Sequence, residues 1–527
     1  MKQLISNLLK LRKRSALYST LLIALAIMLL ACARAGVASA EGRLRFKIGI
    51  APGLAEPDVS GRLLIFMTQR AEPVEMIEPS WFDLKSVRMA AMEVHDLAPG
   101  KTVEVDPDQM AFPAPFSTAP AGDYQVMALL DVNHDITYYG PGAGDLRSEV
   151  VRVAKINPAD AAPIELTITK REPERQPPAD TDSIKLVTFE SPSLSAFWGR
   201  PITMRAGVVL PPGYAKNPSQ RYPTVYQVHG FGGNHMTAWR IGQQLATRMT
   251  TGAVPEMIYV FLDGTCPMGH HEFADSANNG PWGRALTSEF IPYLESKFRM
   301  DARPRGRFLT GHSSGGWSTL WLQITYPDFF GGTWSTSPDP VDFRNFTGPD
   351  LTRTPPQNFY RNAEGKPYNL IRFQGREIAT LEEFARMEQV MGEYGGQMSS
   401  FEAVFSPRGE DGRPMPLFDR KTGRINPAVQ KAWERYDISR ILRTNWKTLG
   451  PRLHGKIHII VGTADNFHLE EPVMLLRDVM KQLGSDATFE FIEGRDHMDL
   501  YQGGLADRIA QEIYKTWRGP QAAKAAH

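Results

Sequence analysis

From Leu44 to about Lys170 the apolar residues come in short runs, "RLRFKIGIA", "GRLLIFMTQ", "KTVEVD", "GDYQVMALLDV", "EVVRVAKI" and "IELTIT", set apart by Gly, Pro and Asp. Period-two alternation between turn residues predicts an antiparallel, sandwich-like β-domain over residues 41–172. The segment "REPERQPPADTDS" interrupts the pattern with proline and charge and reads as a linker, placed at 173–183. Beyond it the grammar changes. "TVYQVHG", "EMIYVFLDG", "GRFLTG", "KIHIIVGTAD" and "ATFEFIEG" are apolar runs ending in turn residues, with helical patterns such as "ALTSEFIPYLESKF" and "GGWSTLWLQITY" between them. Strands alternating with helices predict an α/β domain over 184–520, with a mostly parallel sheet covered on both faces. In such sheets the reacting groups belong in loops at the carboxyl ends of strands.

The stretch at about 342–451 lacks this rhythm. It holds prolines, aromatics and one strong helix, "TLEEFARMEQVMGEYG", and reads as an insertion with a small fold of its own. Its Phe346, Tyr360, Tyr368, Phe373, Phe405, Phe418 and Trp433 either make a separate core or roof a site beneath. No internal repeat or long low-complexity tract interrupts the chain.

Length and charge narrow the picture. A chain of 527 residues accommodates two domains, each with its own core. Lys+Arg (59) and Asp+Glu (58) nearly cancel, so nothing calls for nucleic acid, and the expected partner is a small molecule or a neutral polymer. Lys2, Lys10, Arg12, Lys13 and Arg14, then an apolar run from Ala16 to Ala33, then Ala38-Ser39-Ala40 form the three-part pattern of a secretory signal peptide over 1–40. This reading exports the protein to the periplasm or beyond. Two alternatives tether it to a membrane: a retained apolar segment, or lipidation at Cys32 at the end of "LLAC". If Cys32 leaves with the signal, Cys266 stands alone and no intramolecular disulfide is available.

Candidate chemistry centres on "GHSSG", Gly311 to Gly315, between a predicted strand and a predicted helix. The spacing fits a nucleophile elbow: glycines two before and two after relieve crowding where the strand doubles back, and Ser313 projects at the apex. Ser314 is the competing serine. A serine nucleophile needs a base, and the base needs an acid to fix its tautomer. Asp465 in "VGTADNFH" and His497 in "EGRDHMDLY" follow in that order, each just past a predicted strand. Asp339 and Asp342 are alternative acids, and His468 is an alternative base. Asp496, adjacent to His497, is badly placed to bond its ring. The glycine-rich "VHGFGG" suits an oxyanion loop, with the backbone N–H groups of Phe231 and Ser314 as donors. His270 and His271 lie near Asp275, but adjacent histidines point apart and no metal-ligand spacing is completed. Asp131, Asn133 and Asp135 lack the glycine and distal glutamate of a calcium loop. No metal is expected.

With these residues located, the region from about Ile184 to Trp517 resembles the esterase family that includes esterase D, enterochelin esterases and feruloyl esterase modules. The resemblance rests on "VYQVHGFGG", "FADSANNGPWGRALTSEFIPYLESKF", "GHSSGGW", "VGTADNF" and "GRDH". It implies an α/β-hydrolase fold that works without a cofactor. Ser313 is then the nucleophile, Asp465 the acid, His497 the base, and Phe231 and Ser314 the oxyanion donors. The expected activity is hydrolysis of a carboxylic ester through an acyl-enzyme. The alternatives are an acyltransferase using the same triad and a secreted binding protein with an inactive hydrolase domain.

Overall fold

The computed structural model describes residues 44–519, apart from 55–58, 133–139, 159–161, 175 and 393–395. The expected signal peptide with Cys32 and Ala40, and also Asn133 and Asp135, lie outside the described residues. Among the described residues the first part of the chain forms nine strands: β1 (Phe46–Ile50), β2 (Val59–Thr68), β3 (Arg88–Leu97), β4 (Thr102–Val105), β5 (Ala111–Phe112), β6 (Gly122–Asp131), β7 (Leu146–Ser148), β8 (Val151–Ile156) and β9 (Ile164–Arg171). They join in one sheet in the order β4-β1-β9-β7-β6-β2-β3-β5, with β8 on the end of β6. The sheet must curl. Six strand spacings of about 4.8 Å, roughly 29 Å if flat, separate β3 from β4, whereas the link 98–101 spans at most roughly 18 Å. Curling lets Phe46 and Ile48 of β1 share one core with Leu63 and Ile65 of β2 and Ala128 and Leu130 of β6.

The strand β2 is apolar on both faces. Leu63, Ile65 and Met67 fill that inner core, while Leu64 and Phe66 point the other way, into a cluster shared with the insertion. Met89 and Ala91 of β3 and Met127 and Leu129 of β6 join them there.

The second sheet contains β10 (Ile184–Glu190), β11 (Thr203–Val209), β12 (Thr224–Val228), β13 (Ile258–Leu262), β14 (Arg307–His312), β15 (Gly332–Thr336), β16 (Ile457–Gly462) and β17 (Thr488–Ile492). Their order is β10-β11-β13-β12-β14-β15-β16-β17. All pairs from β13 onward are parallel; β11 runs antiparallel to both its neighbours. This is the α/β-hydrolase arrangement. Period-two burial divides the strands: Tyr226, Val260 and Leu309 face one core, Val225, Tyr259 and Phe308 the other. Helices α1 (Thr237–Thr250) and α7 (Leu505–Arg518) cover the second face; α2 (Ser314–Thr325) lies on the opposite one. Strand order reverses at β12, which has β13 on one side and β14 on the other, and ligands bind at the carboxyl ends of strands at such a switch point.

The insertion follows β15. It includes the hairpin Asn369–Phe373 and Arg376–Thr380, then α3 (Leu381–Met391), α4 (Gln397–Phe405) and α5 (Ile438–Leu453). The capping box of Thr380 and Glu383 starts α3, the strong helix expected in this stretch. Phe346, Tyr360, Phe405, Phe418 and Trp433 are buried, in a core continuous with α2, the N-terminal sheet and α6 (Glu470–Gln482). The insertion therefore has no core apart. No helix among the described residues is long and apolar enough to cross a membrane.

Candidate active site

Strand β14 runs into α2 through Ser313, whose φ of 60° and ψ of −125° fall where residues with a β-carbon rarely sit. The flanking glycines make the turn possible. A β-carbon on Gly311 would stand 2.1 Å from the Gly315 carbonyl oxygen, and one on Gly315 would stand 2.1 Å from that of Val228 in β12. "GHSSG" is thus a steric requirement of the turn that projects Ser313.

Beyond β16 and β17, two loops bring Asp465 and His497 together, both buried. His497 Nδ1 lies 2.8 Å from Asp465 Oδ2, and Asp465 Oδ1 accepts the Phe467 N–H at 3.0 Å. Burial alone would push the Asp465 carboxyl up, but the charge and ring hydrogen bond of His497 hold it below the usual carboxylate range. Burial would lower His497, yet the Asp465 carboxylate outweighs it and raises the imidazole above its ordinary value. With Nδ1 donating to Asp465, Nε2 is the nitrogen left to accept a proton.

Ser313 Oγ donates to Asp339 Oδ1 at 3.4 Å, and no hydrogen bond joins Ser313 to His497 among the described residues. Asp339, buried beyond β15, also accepts from Ser314 Oγ at 2.5 Å and Gln397 Nε2 at 3.4 Å. Burial, then the charge of Glu272, pushes Asp339 up to about 7. Glu272 is itself pushed up to about 8 by burial, and accepts from Ser318 Oγ.

The loop after β12 is clamped to the loop after β13. His229 Nδ1 donates to Gly230 O at 2.8 Å, its Nε2 accepts the Gly264 N–H at 2.8 Å, and His235 Nδ1 lies 2.8 Å from Asp263 Oδ2. Gly230 and Phe231 line one cavity with Ser313 and His497, of about 290 Å³. Its walls are largely apolar: Trp81 and Phe82 come from the N-terminal sheet, Leu370, Phe384 and Phe401 from the insertion, and Phe467 from the loop after β16. Asp339, Thr347 and Gln397 supply polar atoms.

The other candidates are occupied elsewhere. The Asp342 carboxylate pairs with Arg344 at 2.5 Å. Asp496 Oδ1 accepts the N–H groups of Met498 and Asp499 in a turn. His468 Nε2 lies 3.2 Å from Glu377. His271 stacks on Trp282 at 3.7 Å, and burial lowers the neighbouring His270 to about 4. Asp275 Oδ1 accepts the Arg284 N–H. Burial pushes the Cys266 thiol up to about 12, which keeps it protonated.

Sequence reasoning missed three contributors. Trp81 and Phe82 sit in "EPSWFDL", an aromatic pair in a polar loop, which was the available signal. Arg372 of the insertion hairpin gave none. Its Nε donates to Asp465 O at 2.8 Å, its backbone N–H to Asn466 O at 2.8 Å, and its guanidinium pairs with Glu470 at 2.5 Å. Asn466 returns a bond to Arg372 O at 2.9 Å, and its Oδ1 accepts the His497 N–H at 3.1 Å.

Residues 199–504, more than half the chain, match the family model described as "Putative esterase". The chain belongs to this esterase family. Ser313, Asp465 and His497 all fall inside the matched residues. A curated relative, the endo-1,4-beta-xylanase/feruloyl esterase of Xylanibacter ruminicola, is 28% identical over 156 residues, which is 28% of the esterase and only 20% of that protein's length. Similar solved structures include a ferulic acid esterase (14% identity, 63% of this chain and 99% of that one, TM-score 0.40). They also include a fluorophosphonate-binding serine hydrolase of Staphylococcus aureus (15%, 63% and 98%, TM-score 0.38) and an S-formylglutathione hydrolase of Agrobacterium tumefaciens (14%, 63% and 94%, TM-score 0.37).

Proposed function

We propose that the esterase works through an acyl-enzyme on Ser313, with His497 as general base and then general acid, Asp465 as the group that fixes its tautomer, and the N–H groups of Phe231 and Ser314 as oxyanion donors. The observation that carries this reading is the strained turn at Ser313 facing the same cavity as a buried His497–Asp465 pair. Ser313 turns from Asp339 toward His497 Nε2 when substrate binds; catalytic hydrogen bonds are often long or misaligned without substrate. Ser313 Oγ attacks the ester carbonyl as its proton passes to Nε2. The same proton then goes to the leaving alkoxide, and water drawn to Nε2 hydrolyses the acyl-enzyme.

The aromatic walls suit an acyl group that is flat and apolar, and the feruloyl esterase name of the Xylanibacter relative points the same way. The pattern of residues 2–40 supports export, and the composition break at 173–183 supports an N-terminal β-domain distinct from the hydrolase part. The decisive experiment is labelling with a fluorophosphonate. Wild type is expected to label at Ser313, and Ser313→Ala to lose both labelling and, by several orders of magnitude, ester turnover. Persistent labelling of the mutant, or labelling at Ser314, refutes the assignment.

A further inference from the structure

The loop between β2 and β3, residues 69–87, is long for a compact fold, where connections beyond about 12–15 residues without secondary structure usually carry function. It is firmly anchored. Ile77, Leu84 and Val87 are buried in the shared core, and Lys85 pairs with Glu383 of α3 at 2.6 Å. The buried Gln125 side chain accepts the Val74 N–H at 3.2 Å and donates to Arg70 O at 2.7 Å and Glu72 O at 2.9 Å. The sheet that carries the loop is itself tied to the insertion by Arg62, only 6% exposed, which donates to Val390 O at 2.9 Å and Gln389 O at 2.6 Å. These carbonyls end α3, where a cation is favoured by the helix dipole.

The anchored loop presents Trp81 and Phe82 to the cavity over Ser313. The Trp81 ring lies 5.3 Å from Phe384 and 5.8 Å from Phe467, and Phe467 meets the His497 ring edge-on at 4.9 Å. Both loop aromatics are only partly buried, although Ile77, Leu84 and Val87 around them are closed off. Packed against the shared core, Trp81 and Phe82 also line the cavity. They also lie well outside residues 199–504, the part the family model matches.

We propose that Trp81 and Phe82 complete the active site, the N-terminal sheet supplying one wall of an acyl subsite that holds a flat aromatic acyl group against the Trp81 indole. This rests on the Ser313 reading above. A small acyl group such as acetyl has no ring to place there, so the wall acts on selectivity and not on the chemical step. Trp81 is a specificity residue, and the site is incomplete without the N-terminal part of the chain.

The test uses the full chain and two esters with one leaving group, vinyl acetate and vinyl cinnamate, each followed by release of acetaldehyde. Trp81→Ala is expected to lower kcat/KM for the cinnamate by about 10- to 100-fold, the range of a lost apolar contact in a binding pocket. Acetate turnover stays within about threefold, and Trp81→Phe recovers most of the cinnamate rate because an aromatic face is restored. If Trp81→Ala does not fold, Trp81→Leu reads the same ratio, since it keeps apolar bulk and removes the flat face. Equal losses for both esters would show that Trp81 acts by supporting Phe467 and His497, and would overturn the subsite, as would unchanged cinnamate turnover. Fluorophosphonate labelling of each variant separates this failure from failure of the Ser313 reading, which would appear as an unlabelled wild type.

Discussion

Asp465→Asn tests the acid assignment most directly, because the structure fixes which way the new amide points. The Phe467 N–H donates to Asp465 Oδ1 at 3.0 Å, so the asparagine oxygen keeps that place and its NH2 group falls at Oδ2, 2.8 Å from His497 Nδ1. A donor there forces Nδ1 to become the acceptor and moves the ring proton to Nε2. His497 then presents a proton to Ser313 where it should take one. Loss of the correct tautomer in a triad of this kind costs about 10⁴ in kcat, or roughly 5.5 kcal/mol of transition-state stabilisation. The substitution is isosteric, so fold and Tm should change little. The assay is turnover of vinyl acetate at pH 8, with fluorophosphonate labelling rate as a second measure. Asp342→Asn is the control, since its carboxylate pairs with Arg344, and it should retain activity within a few-fold. A loss under about tenfold in Asp465→Asn, or a dead Asp342→Asn, would refute the placement of the acid.

Two further outcomes follow from the surroundings of the proposed triad. His497 is raised by Asp465 and further by Asp339, so the base is lost on the acid side at a pH above the ordinary imidazole value. Removing the Asp339 charge with Asp339→Asn should move that acid limb of kcat/KM downward, and a limb that stays put or rises contradicts the geometry. Arg372→Gln frees the Asp465 carbonyl and leaves Glu470 without its cation; it should cut turnover of vinyl acetate and vinyl cinnamate by a similar factor, about tenfold, because it disturbs the acid loop and not the acyl subsite. A selective loss of cinnamate turnover in Arg372→Gln would place the hairpin at the substrate instead.

The parts of this site that could be read in the sequence are those whose position is set by local chain geometry. The elbow glycines, the strand before Ser313 and the helix after it are neighbours in sequence and in space, and the loops carrying Asp465 and His497 sit at strand ends that a parallel sheet brings to one side. Periodicity could not reveal partners. "RLLIFM" in β2 was legible as a strand among the alternating runs, but nothing local says that both its faces are covered or that one of them meets α3. Nor does a sequence pattern show that Arg372 reaches Asp465, or that the insertion aromatics continue the core of α2. Such contacts depend on where whole elements dock.

That docking decides whether Trp81 is a fixed wall or a moving flap. Leu64, Phe66, Met89, Met127 and Leu129 of the N-terminal sheet are each at most 2% exposed in the core shared with the insertion. At about 1.5–3 kcal/mol for each such side chain brought back to water, lifting the sheet away would cost on the order of 10 kcal/mol. The bonds from Arg62 to the end of α3 add to that, since a buried guanidinium stripped of its carbonyl partners is costly. An opening so expensive is too rare to serve each turnover. The wall is therefore already in place when substrate arrives. A rigid wall favours acyl groups that already fit it, because little ordering of the protein is left for binding to drive. Selectivity at Trp81 should accordingly survive changes of temperature and viscosity that would blunt a lid, whose contribution depends on how often it closes.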